Sequence, residues 1–150
     1  MITIIIIVIT SLISIRAFKD SELMSRLIFH PPAVKQGNGY RLFSYGVVHA
    51  DYTHLIFNMF TLYFFGPAIE RTFKSVLSPT SGSIFFILLY LTALFVSIIP
   101  TYFKKKDNAS YYSLGASGAV SAIIFAFVLI NPMNYMGVLF IPVMLPVFLF

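Results

Sequence analysis

The stretch Tyr111-Tyr-Ser-Leu-Gly-Ala-Ser-Gly-Ala-Val-Ser-Ala122 sets Ser117 between Gly115-Ala116 and Gly118-Ala119, and an apolar run then continues to Ile130. A serine at the mouth of a hydrophobic helix can be a nucleophile. Flanked by glycines that let other backbone approach, it can equally be a packing joint. The rest of the chain decides between the two.

Composition fixes the solvent. With 59% hydrophobic and 10% charged residues over 150 positions, the chain has too little polar surface for a soluble globule of its size. Its apolar residues fall in long blocks with polar punctuation, the pattern of membrane spans. There is no cysteine, which excludes a disulfide framework, a thiol nucleophile and a Cys-ligated metal. The net charge of +5 comes from a few loop residues and points to lipid headgroups, not to nucleic acid.

Outward from Ser117, Leu114 to Ile130 reads as a fourth span. Before it come Met1 to Ile15, Leu55 to Ile69 (stopped by Gly66-Pro67, Glu70-Arg71 and Lys74) and Ile84 to Phe103. After it, Tyr135 to Phe150 reads as a fifth, interrupted by Pro142 and Pro146. Met1 to Ile15 lacks the basic start and small-residue cleavage site of a signal peptide. Phe18 to Thr53 is the least hydrophobic part, yet it holds Leu27-Ile28-Phe29, Leu42-Phe43 and Val47-Val48 among its charges and breakers. It is expected to lie at the membrane interface as short amphipathic pieces. No repeat or soluble domain is present. The expectation is an all-α, polytopic membrane helix bundle.

Polar side chains within spans are costly and face a bundle interior or a water-filled cavity. His49, His54 and Asn58 open the second span, and His54 and Asn58, at i and i+4, share a helix face. They suit interhelical hydrogen bonds or an oxyanion hole, with donors fixed where charge develops on a carbonyl oxygen. A metal site is the weaker fit, because the five-residue histidine spacing is not that of a helical zinc pair and no carboxylate joins it. An ion path would show an acid inside a span, and Glu70 stands only at an end. For Ser117 the packing reading rests on Gly118, Ala122 and Ala126, a stripe of small residues of the kind that joins membrane helices. The soluble nucleophile elbow fits poorly, because position 119 is alanine and no strand precedes it.

In combination these features resemble the rhomboid family of intramembrane serine proteases. The resemblance rests on His49, His54 and Asn58 heading one span, with Gly115-x-Ser117-Gly118 heading another. It extends to Tyr40-Arg41, where the family often has Trp-Arg, to Gly66-x-x-x-Glu70, and to the order of spans after a long first loop. It implies that Ser117 is the nucleophile and that His54 and Asn58 are the side-chain donors of the oxyanion hole, with the Ser117 backbone N–H as a further donor. His49 resembles the family's additional histidine, holding the first loop or a water. Gly115 and Gly118 would allow close backbone approach, and Arg41 and Glu70 would support the first loop and the end of the second span. The reaction implied is serine acyl transfer on transmembrane protein substrates in the lipid bilayer, without metal or cofactor, each oxyanion donor contributing ~3 kcal/mol to the transition state.

Three features depart from the family. The general base there is a histidine on a sixth span, whereas this chain has only His30, His49 and His54. Residues 1–150 are therefore expected to be a C-terminally truncated rhomboid-like domain, with five spans present and half of a catalytic dyad. Position 121, aromatic in some members, is serine. Eight of the ten basic residues fall in the first and third connectors, which the positive-inside rule would put in the cytoplasm. The family orientation instead opens the site to the non-cytoplasmic side, and that is the orientation expected here. Two alternatives remain: a non-catalytic relative that binds membrane clients, and a small transporter or structural membrane protein in which Gly115 to Ala126 is a packing joint.

Overall fold

The structure is a computed structural model that describes residues 1–132, 135–138 and 141–146. Four long helices carry the fold: α1 (Ile2–Ala17), α5 (Tyr52–Val76), α6 (Pro79–Lys105) and α7 (Ser117–Ile130). The first loop holds three short helices, α2 (Ser21–Leu27), α3 (Pro31–Lys35) and α4 (Arg41–Ser44), and a 3₁₀ turn at Tyr45–Val47. Helix α5 is central and packs against α1, α6 and α7.

Each helix is placed by the residues it buries. On α6, Gly82, Phe86, Tyr90, Leu94 and Ile98 are buried, a spacing of four that makes one ridge facing α5 and α7. On α5 the buried Leu55, Asn58, Met59, Leu62, Gly66, Ile69 and Glu70 form a wider stripe. Helix α1 is inside-out. It buries Thr3, Thr10, Ser14 and Ala17 and exposes Ile5, Val8, Ile9 and Leu12, the last 65% exposed. Small and hydroxyl side chains inside and aliphatic ones outside mark a helix whose solvent is lipid. Among the described residues α6 is the helix long and apolar enough to cross a membrane; α1 and α7 are shorter apolar helices.

Three boundaries differ from the sequence expectation. The second span does not stop at Gly66-Pro67, and α5 runs on to Val76. A proline removes one helical donor, but the missing Cβ of Gly66 leaves room for Thr3, whose Cγ2 would lie 2.5 Å from it, so packing on α1 continues through the site. The fourth helix begins at Ser117, not Leu114, because Gly115 has φ +110°, a left-handed conformation incompatible with α-helix. The fifth span is corrected most. Tyr135–Val138 and Ile141–Pro146 pair as antiparallel strands β1 and β2, in a segment where Gly137, Pro142 and Pro146 weaken any helix. The rest of that expected span, residues 139–140 and 147–150, lies outside the described residues.

Candidate active site

The first loop is built before the site can be. Helix α2 ends with carbonyls that have no partner within the helix, and side chains of α4 and its flank supply them. Arg41 donates to the Ser25 and Ile28 carbonyls at 2.7 and 2.6 Å. The Tyr40 hydroxyl donates to Arg26 and the Ser44 hydroxyl to Leu27. Arg41 thus ties the end of α2 to α4. Glu70 supports more than the end of its own helix. It accepts from the backbone N–H groups of Ile2 and Thr3 at 2.9 Å each and from the Thr3 hydroxyl at 2.8 Å, and it is paired with Lys74. A carboxylate at the first N–H groups of α1 both satisfies them and opposes the helix dipole.

This loop carries the segment leading to Ser117. Phe29 and Ser113 exchange both backbone hydrogen bonds, Gly115 N–H donates to the Tyr45 carbonyl at 2.9 Å, and Ala116 N–H donates to His49 Nε2 at 3.3 Å. The other nitrogen of His49 lies 2.9 Å from the Ser14 hydroxyl, which donates to the Val47 carbonyl. A neutral imidazole has one N–H. Since Nε2 accepts from Ala116, the proton is on Nδ1 and points at Ser14. A protonated ring could not accept from Ala116. Burial, with the neighbouring His54 ring as a lesser cause, holds His49 down to about 4. His49 is therefore neutral at pH 7 and joins α1, the first loop and the start of α7.

His54, capped into α5 by Asp51, stands 5.0 Å from His49 ring to ring. It lies against Gly115, where a Cβ would come within 2.6 Å of Cε1 and 2.8 Å of Nε2. Asn58 is buried one turn further along, with its amide donating to the His54 carbonyl. Gly118 sits where α7 crosses α6 so closely that a Cβ would overlap the Ser97 hydroxyl. Ser117 is exposed in the first turn of α7, and no side chain caps that helix start. Its first N–H groups are thus open to an anion. The structure sets His49 against Ala116 and His54 against Gly115, the residues that lead into Ser117, with Asn58 one turn from His54 on α5. Arg41 and Glu70 stand apart, at the first loop and at the far end of α5. No group of three or more His, Cys, Asp or Glu able to hold a metal occurs among the described residues.

Sequence reasoning passed over Ser14, Tyr45 and Ser97. The signal for Ser14 was present, since Thr3, Thr10 and Ser14 recur at helical spacing in an otherwise aliphatic stretch.

Residues 36–150 match the family model of the Rhomboid domain. The chain belongs to the rhomboid family. It is 28% identical over 124 residues to RHOMBOID-like protein 12, mitochondrial, of Arabidopsis thaliana, covering 78% of this chain and 37% of that one. It is 39% identical over 91 residues to RHOMBOID-like protein 4 of the same plant (61% and 20%). It is 30% identical over 99 residues to the rhomboid protease GlpG of Haemophilus influenzae (65% and 45%). The chain thus spans less than half the length of each of these rhomboid relatives, and like the family it is a membrane protein.

Proposed function

We propose that the intact protein is a multi-pass intramembrane serine endopeptidase acting on transmembrane segments of other membrane proteins. The observation that carries the reading is the exposed Ser117 at the uncapped start of α7, with the His54 ring against Gly115 two residues before it. In the reaction Ser117 Oγ bonds to a peptide carbonyl carbon while its proton passes to a general base. The C–N bond then breaks as that proton goes to the leaving amine, and water hydrolyses the resulting ester. The developing oxyanion would be met by the Ser117 N–H and by His54 and Asn58. His49, with both nitrogens engaged, is not the base. By its resemblance to the family, that role would fall to a histidine on a sixth span.

The second reading, a client-binding relative without catalysis, is favoured by one observation: none of the chain's three histidines hydrogen-bonds Ser117 among the described residues. A fluorophosphonate probe on the native gene product in its own membranes separates the two. Labelling that disappears in Ser117→Ala supports the protease. Absence of labelling in an otherwise folded wild type supports the client binder. Labelling that persists in Ser117→Ala overturns the assignment of the nucleophile.

A further inference from the structure

His30 has no part in the site so far, yet it lies where the first loop grips the segment leading to Ser117. Its Nε2–H donates to the Ala109 carbonyl at 3.1 Å, and its ring stacks on Tyr112 at 4.7 Å with 13° between planes. The neighbouring Phe29 makes the paired backbone bonds to Ser113. Five residues along, Lys35 is paired with Asp107 at 2.6 Å. These ties fix residues 107, 109, 112 and 113, and Ser113 is four residues from Ser117. We propose that His30 is a positioning residue for Ser117. It clips the third connector to the first loop so that Gly115 stays against His54 and Ala116 against His49.

Physically, the connector between Lys105 and Ser117 has no regular structure of its own. Its conformation is therefore set by what it is bonded to, and each lost tie returns conformational freedom. Displacing a nucleophile by ~1 Å can cost up to about a hundredfold in rate, so a clip four residues away is near enough to matter.

This inference rests on the protease reading, and the test separates the two. In the full-length protein in native membranes, amide hydrogen exchange across residues 109–116 and the rate of fluorophosphonate labelling of Ser117 are measured for wild type, His30→Ala, His30→Phe and Tyr112→Leu. The expected result for His30→Ala is faster exchange in 109–116 and roughly tenfold slower labelling, with the apparent pKa of the labelling profile unchanged. His30→Phe keeps the stack and recovers part of both losses, and Tyr112→Leu reproduces part of the His30→Ala effect. Unchanged exchange overturns the clip. Faster exchange with unchanged labelling overturns the positioning role, and a shifted or abolished pH profile makes His30 a proton-transfer group and overturns it as well. If wild-type Ser117 is not labelled at all, the protease reading fails, and with it the positioning role; the exchange data then show only whether the connector is clipped.

Discussion

At the scale of the residue, one position beside Ser117 tolerates almost no change. Gly115 needs φ +110° and leaves no room for a Cβ beside His54. Gly115→Ala is expected to destabilise the protein by about 1–3 kcal/mol through backbone strain alone and to remove Ser117 reactivity, read by thermal unfolding and probe labelling. His49 makes stability depend on pH. The unfolded imidazole takes up its proton below about 6.5, the folded one only below about 4. Stability is therefore flat in this respect above about pH 6.5 and falls by about 3 kcal/mol as pH drops from there to 4. Unfolding titrations at stepped pH should show that slope in wild type and its loss in His49→Gln. The candidate residues themselves were legible in the sequence, because Ser, His and Asn in apolar spans stand out. What His49 touches was not, since Ser14 and Ala116 lie 35 and 67 positions away.

At the scale of the element, the four long helices were legible from apolar block length, and their ends were not. Prolines mark possible ends, but Pro67 and Pro100 both lie inside helices, where neighbours compensate one missing bond. The failure over Tyr135–Pro146 has the same root: an apolar run with glycine and prolines fits a short strand as well as a span. Two variants test how the helices are joined. Glu70→Ala leaves Lys74 and the first N–H groups of α1 without their acceptor, and should cost about 3–5 kcal/mol in detergent unfolding, with Glu70→Gln costing less. Gly118→Val should push α7 from α6 because its side chain meets Ser97. Combining it with Ser97→Gly should recover part of the loss, a coupling that a double-mutant cycle measures.

At the scale of the whole molecule, Lys35–Asp107 and His30–Ala109 put the first loop, Lys104 to Lys106 and Ser117 at one end of the bundle. Glu70, Arg71 and Lys74 lie at the end where α1 begins. The basic residues crowd the Ser117 end, against the positive-inside rule, and we predict that this end is nevertheless non-cytoplasmic. These 150 residues have no cysteine, so single cysteines at the exposed Ser110 and Ser75 report sidedness directly. An impermeant maleimide should reach Ser110→Cys from outside intact cells and Ser75→Cys only after permeabilisation; the reverse pattern would invert the protein. The inside-out character of α1 bears also on biogenesis. Helix α1 is synthesised before α5, and its aliphatic face suits it to the bilayer at once. Until chain 67 and 35 positions later delivers Glu70 and His49, the Thr3 hydroxyl lacks its acceptor and that of Ser14 can bond only a carbonyl one turn back in its own helix. A chain stopped short of Glu70 would leave α1 in the bilayer without the carboxylate that holds its first N–H groups.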